Sequence, residues 1–163
     1  MNWHDTIISI QKSNKFNDLV KDSFINNFVE IVYDIEKDLY LEGNKNLLIQ
    51  ALINIYNNAL DALKEYNDSE KKFFFVHVKK ENSKVVIELK DNAKGIPSAY
   101  IEKIFDPYFT TKHKSKGTGI SLSMTYNLIV NGMHGNIEAK NVTYKYNNND
   151  YTGAQFTIEL PLS

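Results

Sequence analysis

The chain has 163 residues, 42% of them hydrophobic, enough for one well-filled core and too few for two full-sized domains. A formal charge of −1, from 19 basic and 20 acidic residues, leaves no global field to draw it to nucleic acid or to an acidic membrane. It has no cysteine, which excludes a disulfide framework and a thiolate nucleophile and suits a reducing cytoplasm, and every basic residue is lysine, which excludes a bidentate arginine clamp. In chain order, a β-like run over residues 6–11 and a helical stretch over about 16–27 come first. Met1-Asn2-Trp3-His4-Asp5 lacks a signal-peptide pattern, and no apolar run approaches the roughly 18 residues of a membrane span. Val29, Ile31, Tyr33 and Ile35 alternate on one face of a predicted strand, and a second short run over 38–42 ends at Gly43 and Asn44.

From about 46 to 65 the period is helical, with Leu48, Leu52, Ile55, Ala59 and Ala62 on one face. Two strand-like runs, 73–80 and 84–91, are joined by the polar Glu81-Asn82-Ser83 and read as a hairpin. Residues 92–116 carry glycine, proline and clustered lysine around a short helical piece at 98–104, the composition of a long loop. A second apolar helix is predicted over 117–131, closed by Gly132 and Gly135, and strands over 136–140 and 153–160 flank a polar loop at Asn147-Asn148-Asn149-Asp150. Paired strands alternating with helices predict an α/β fold, a two-layer sandwich with helices packed on one face of a mixed, mostly antiparallel sheet.

Three stretches carry candidate chemistry. On the long helix, Asn54, Asn58, Asp61 and Glu65 fall on one stripe beside the apolar face. Asn54, Asn57 and Asn58 disfavour a helix locally, because their amides compete for backbone hydrogen bonds. The stripe is therefore either a solvated face or a set of neutral oxygens for a hard cation such as Mg²⁺. Asp91 has the same strand parity as Val85, Ile87 and Leu89, so its carboxylate points inward. It must find donors there: the amides of a turn through Ala93 and Gly95, or a ligand such as an adenine amino group. Gly117-Thr118-Gly119 opens a helix, where free amides bind phosphate oxygens, yet it fits neither a P-loop nor a dinucleotide fingerprint. Lys112, Lys114 and Lys116, just ahead of it, are a solvated run or a counter-charge for a triphosphate.

In this order, Gln50-Ala51-Leu52-Ile53-Asn54-Ile55-Tyr56-Asn57-Asn58-Ala59-Leu60-Asp61-Ala62, Asp91-Asn92-Ala93-Lys94-Gly95-Ile96-Pro97, Phe105-Asp106-Pro107-Tyr108-Phe109-Thr110-Thr111-Lys112 and Gly117-Thr118-Gly119-Ile120-Ser121-Leu122-Ser123 resemble the N, G1, F and G2 boxes of sensor histidine kinase catalytic domains. These belong to the ATPase superfamily shared with gyrase, mismatch-repair and heat-shock chaperone proteins, and the resemblance covers about residues 39–160, its last part a closing strand from Gly153 to Pro161. It implies the Bergerat ATP-binding fold in a single domain over residues 1–163, with a lid over about 94–116. It also implies that Asn58 coordinates Mg²⁺, that Asn54 and Lys112 serve the phosphates, and that Asp91 receives the adenine amino group. Gly95 and Ile96 would line the base, Phe105 and Phe109 anchor the lid, and Asp61, Thr110, Thr111, Gly117, Thr118, Gly119, Ile120 and Leu122 complete the ATP site.

By the same resemblance, the domain binds Mg-ATP in the cytoplasm and passes its γ-phosphate to a histidine on a separate dimerisation and phosphoacceptor domain, with a response regulator downstream. Sensing segments and any membrane anchor would precede Met1. Hydrolytic members carry a glutamate where Asn54 stands, and an amide cannot accept a proton, so hydrolysis by this chain alone is disfavoured. His4 lies too near the N box to be the acceptor, and His77, His113 and His134 have no metal-site spacing. Two positions depart from the pattern: Ala93 and Ser121 stand where the family has glycine, and an alanine forced to positive φ would cost about 1 kcal/mol and weaken nucleotide binding. The alternatives are an anti-sigma-type serine kinase on the same fold and a degenerate, non-catalytic nucleotide-binding module.

Overall fold

The computed structural model describes residues 29–36, 45–65, 71–107, 109 and 120–161. The expected elements at 6–11, 16–27 and 38–42 lie outside them. Strand β1 (Val29–Ile35) leads to helix α1 (Lys45–Glu65), then to β2 (Lys72–Glu81) and β3 (Lys84–Asp91). Helix α2 (Ile120–Asn127) runs into a π-helical turn, Leu128–Gly132, before β4 (Asn136–Tyr146) and β5 (Asn149–Pro161) complete the sheet.

The strand order is β1-β2-β3-β5-β4. β1 pairs with β2 in parallel, a pairing that needs the crossover α1 supplies, and every other pairing is antiparallel. Both helices pack on one face, the mixed two-layer sandwich expected from the sequence. Leu48, Leu52, Ile55, Ala59 and Leu63 of α1 are buried against Val76, Val78, Val85, Ile87, Leu89, Phe156, Ile158 and Leu160 of the sheet. Period 3.6 on the helix and period 2 on the strands thus meet in one layer of side chains. Ile87 sits in a central strand with 0% exposure, so Ile87→Ala should lower the unfolding free energy by about 2–5 kcal/mol, read as a drop in the urea midpoint.

Both hairpins turn on asparagine or serine. Asn82 and Ser83 take φ of 50° and 66°, and Asn147 and Asn148 take 49° and 66°, the paired left-handed geometry of a two-residue turn. The second turn corrects the sequence expectation of strands at 136–140 and 153–160 around a polar loop. Asparagine tolerates positive φ, so the turn needs only two residues, and Val142, Thr143, Tyr144 and Tyr146 continue the strand.

The longer hairpin overhangs its neighbours. β3 pairs with β5 only as far as Lys90 with Gln155, whereas β4 and β5 stay paired to Tyr146 with Asn149. The overhang bends over the face of the sheet opposite the helices, where Tyr146 and Tyr151 meet Phe73 at 5.1 and 5.6 Å between ring centres. Tyr144 and Tyr146 stand edge-on to Phe75 at 5.5 and 5.0 Å. Phe73 is consequently 2% exposed although it is outside the main core. These rings form a second, aromatic layer.

Candidate functional site

Asp91 ends β3 on the side predicted from its parity, at 4% exposure. Its Oδ1 accepts from the backbone amides of Ala93 at 2.9 Å and Ala154 at 3.2 Å. Burial nevertheless dominates and pushes the carboxyl up to about 6, those two bonds only partly opposing it. Of the donors expected from the sequence, the turn amide of Ala93 is present and that of Ala154 joins it: Asp91 caps its own turn, and burial still disfavours its charge.

The loop after Asp91 is held by side chains. Asn92 accepts from the Phe73 amide at 2.8 Å and donates to the Lys71 carbonyl at 2.7 Å, taking the place of a further pair of strand residues. Lys94 and Gly95 have φ of 74° and 87°, whereas Ala93 does not have positive φ. The strain expected of an Ala93 at positive φ is absent: the left-handed residues are the next two, and the side-chain penalty of about 1 kcal/mol falls on Lys94. Asn141 on β4 both accepts from Ile96 N–H and donates to Ile96 C=O, each at 2.7 Å. Glycine is required at 95 by φ, and a Cβ there would lie 2.6 Å from Asn141 Oδ1 and push that side chain off Ile96.

On α1, Asn54 is 8% exposed, Asn58 and Asp61 are half-buried, and Asn57 and Glu65 are exposed. Gln50 Nε2 donates to Asn54 Oδ1 at 2.8 Å, which leaves Asn54 Nδ2 buried without a hydrogen-bond partner. Exchanging the oxygen and nitrogen of either amide changes which atom is left over, not that one is. An unsatisfied buried amide atom costs about 1–3 kcal/mol and suits a polar ligand arriving at this stripe. Among the described residues no three acidic or histidine side chains converge on a metal site, so a cation would have to bring most of its own ligands, as Mg²⁺ does when it arrives with phosphates. The neutral oxygen of Asn58 fits that role.

The remaining predicted positions divide. Ile96, Phe105, Phe109 and Leu122 are partly buried and packed on the core. Phe105 lies between Tyr126 at 5.7 Å and Phe156 at 6.2 Å, and Phe109 meets Tyr100 at 5.6 Å. The turns ahead of Phe109 repeat every three residues, Tyr100 N–H on Pro97 C=O, Lys103 N–H on Tyr100 C=O and Asp106 N–H on Lys103 C=O, and Phe109 N–H reaches Asp106 C=O. Thr110, Thr111, Lys112, Gly117, Thr118 and Gly119 lie outside the described residues, as does the side chain of Ile120. Asn92, Asn141, Tyr144 and Gly153 were not singled out from the sequence. Asn141 falls just past the strand expected at 136–140, and only its partner 45 residues away shows what it holds.

Residues 43–163 match the family described as Histidine kinase-, DNA gyrase B-, and HSP90-like ATPase. The two-component sensor PprA of Pseudomonas aeruginosa is 34% identical over 127 residues, which span 77% of this chain and 13% of PprA. The sensor histidine kinase ZraS of Escherichia coli O157:H7 is 32% identical over 123 residues, 76% of this chain and 24% of ZraS. The chain thus corresponds to a small part of these relatives. The nucleotide-free catalytic domain of histidine kinase ThkA superposes with a TM-score of 0.75 at 24% identity, covering 99% of this chain and 93% of that one. ThkA in complex with the response regulator protein TrrA superposes at 0.66 and 22% identity, covering 100% of this chain and 41% of that one. The chain therefore belongs to the histidine kinase-, DNA gyrase B- and HSP90-like ATPase family, as an ATP-binding domain of the two-component sensor kinase kind.

Proposed function

We propose that this domain holds Mg-ATP between the Asp91 loop and the α1 asparagine stripe and delivers the γ-phosphoryl group to a histidine on a separate phosphoacceptor domain. The observation that carries the reading is Asp91: a carboxylate almost fully buried, raised to about 6 by that burial, and with no lysine among the described residues paired to it. A charge kept at such cost suits an acceptor for a buried donor, and the amino group of adenine is one. Asn54, with an amide atom left over, would hydrogen-bond the phosphate and metal end of the nucleotide. Asn58 would supply a neutral oxygen to Mg²⁺. When bound, Mg²⁺ neutralises charge on the β- and γ-phosphate oxygens.

With an amide at position 54, the chain offers no carboxylate there to activate water, which favours transfer to an acceptor over hydrolysis. The family membership supports ATP binding, and the ThkA complex supports a response regulator as the downstream partner. Residues 1–163 would form one catalytic domain of a longer sensor. No helix of the described residues is long and apolar enough to cross a membrane.

Calorimetric titration of Mg-ATP into the purified chain tests this. Asn58→Ala should weaken Mg-ATP at least about tenfold, the loss of one ligand to a charged group, while leaving ATP in excess chelator unchanged. No saturable binding at millimolar Mg-ATP would sink the proposal.

A further inference from the structure

Beyond Asn92, which is tied to the start of β2, the loop that carries Asp91, Gly95 and Ile96 is held by the overhanging hairpin of β4 and β5. Tyr144 donates its hydroxyl to the Asp91 carbonyl at 2.7 Å, Ala154 N–H reaches Asp91 Oδ1 at 3.2 Å, Lys94 N–H reaches the Thr152 carbonyl at 3.0 Å, and Asn141 grips both polar groups of the Ile96 peptide. Of these five hydrogen bonds three are made by side chains of the hairpin, two by Asn141 and one by Tyr144. Tyr144 is fixed in turn: its ring stands edge-on to Phe75 at 5.5 Å and beneath Lys90 Nζ at 4.1 Å. The hairpin therefore enters the site as a braced arm, with its aromatic rings seated on the outer face of the sheet and its polar atoms on the loop.

We propose that Asn141 and Tyr144 are positioning residues for nucleobase recognition: acting through the Ile96 peptide and the Asp91 carbonyl, they set the Asp91 carboxylate and the Gly95–Ile96 edge at the spacing that accepts adenine and rejects guanine. This rests on the nucleotide site proposed above. A loop with no helical or sheet hydrogen bonds of its own has many accessible conformations, and a recognition group displaced by about 1 Å loses most of its selectivity. Asn141 and Tyr144 remove those conformations before the ligand arrives, which is where preorganisation raises affinity.

The test uses the full chain as wild type, Asn141→Ala, Tyr144→Phe and, as a control on the same hairpin, Lys145→Ala, which among the described residues pairs with the exposed Asp150 at 3.6 Å. Tyr144→Phe keeps the ring on Phe75 and Lys90 and removes only the hydroxyl, so it reports even if Asn141→Ala folds poorly. Two quantities are read: amide hydrogen exchange at Lys94 and Ile96 without nucleotide, and calorimetric affinity for Mg-ATP and Mg-GTP. Asn141→Ala should speed exchange at Ile96 and weaken Mg-ATP about tenfold, with Tyr144→Phe smaller in the same direction. Both should narrow the preference for ATP over GTP, and Lys145→Ala should match wild type. Unchanged exchange and affinity in both variants would overturn the proposal. So would weaker binding with an unaltered ATP-to-GTP ratio, since that is the mark of a merely structural role. Failure of the wild-type chain to bind Mg-ATP would instead sink the nucleotide site, and the exchange data would still decide whether the arm holds the loop.

Discussion

Asp91→Asn is expected to make the protein more stable at neutral pH while removing the preference for adenine proposed above. The Asp91 carboxyl is raised from 3.8 to about 6 by burial, the amides of Ala93 and Ala154 offsetting part of that. A raised carboxyl favours the protonated form in the folded chain. Its stabilising contribution is therefore complete below about 3.8 and is lost as pH rises through about 6. Above that, the folded protein carries the full penalty of a buried charge, about 3 kcal/mol at roughly 1.4 kcal/mol per pH unit. Asparagine keeps an oxygen for the two amides and carries no charge. The variant should melt several degrees higher than wild type at pH 7.5, at about 2–4 °C per kcal/mol for a chain of this size, and the difference should shrink between about pH 6 and pH 4. Its new amide N–H groups would face the adenine amino group donor to donor, so Mg-ATP binding should fall to the level of Mg-GTP. Wild-type binding should itself weaken as pH falls below about 6. A variant no more stable at pH 7.5 than at pH 4, relative to wild type, would show that the carboxylate is not strained by its burial.

Gly153→Ala should have the opposite effect on stability and the same effect on binding. A Cβ at residue 153 would lie 1.8 Å from the Asp91 carbonyl oxygen, 2.5 Å from its carbonyl carbon and 2.8 Å from Oδ1. The first two atoms are backbone, and both strands are hydrogen-bonded into the sheet, so neither can yield without parting β5 from the end of β3. Overpacking commonly costs about 1–3 kcal/mol, and a contact this close to buried backbone belongs at or above the top of that range. The urea midpoint should drop accordingly. Because the displacement falls on Asp91 itself, Mg-ATP affinity should also be lost in whatever fraction remains folded. The contrast with Gly95 is instructive: the atom a Cβ would strike there is the Asn141 side-chain oxygen, which can rotate away.

These two predictions come from opposite kinds of information. That Asp91 faces inward was legible in the chain, because strand parity is a local signal and Val85, Ile87 and Leu89 mark the buried side. The same holds for α1, predicted from 46 to 65 and observed from 45 to 65, where a 3.6-residue period over five turns leaves little freedom in which face is buried. The hairpin of β2 and β3 was legible for a related reason, a polar turn between two runs of alternating apolar residues. Gly153 looked like the start of a strand and nothing more.

What the sequence determined by itself, then, is what rests on short-range regularity: the helix and strand periods, the two-layer class, the inward carboxylate, the asparagine stripe, and the order of the motif blocks that pointed to the ATPase family now matched over residues 43–163. What only the tertiary structure decided is which segments meet. The strand order β1-β2-β3-β5-β4 brings β5 beside β3, and with it Ala154 to Asp91 across 63 residues, Tyr144 to Asp91 across 53 and Asn141 to Ile96 across 45. Periodicity carries no information about such separations. It fixes which face a side chain takes, whereas its partner is chosen by the whole sheet, as the one arrangement that buries every apolar face at once and pairs the backbone at the strand ends. The positive φ of Lys94 was not legible for the same reason: lysine has no preference for it, and the residue's N–H is held by the Thr152 carbonyl of the arm.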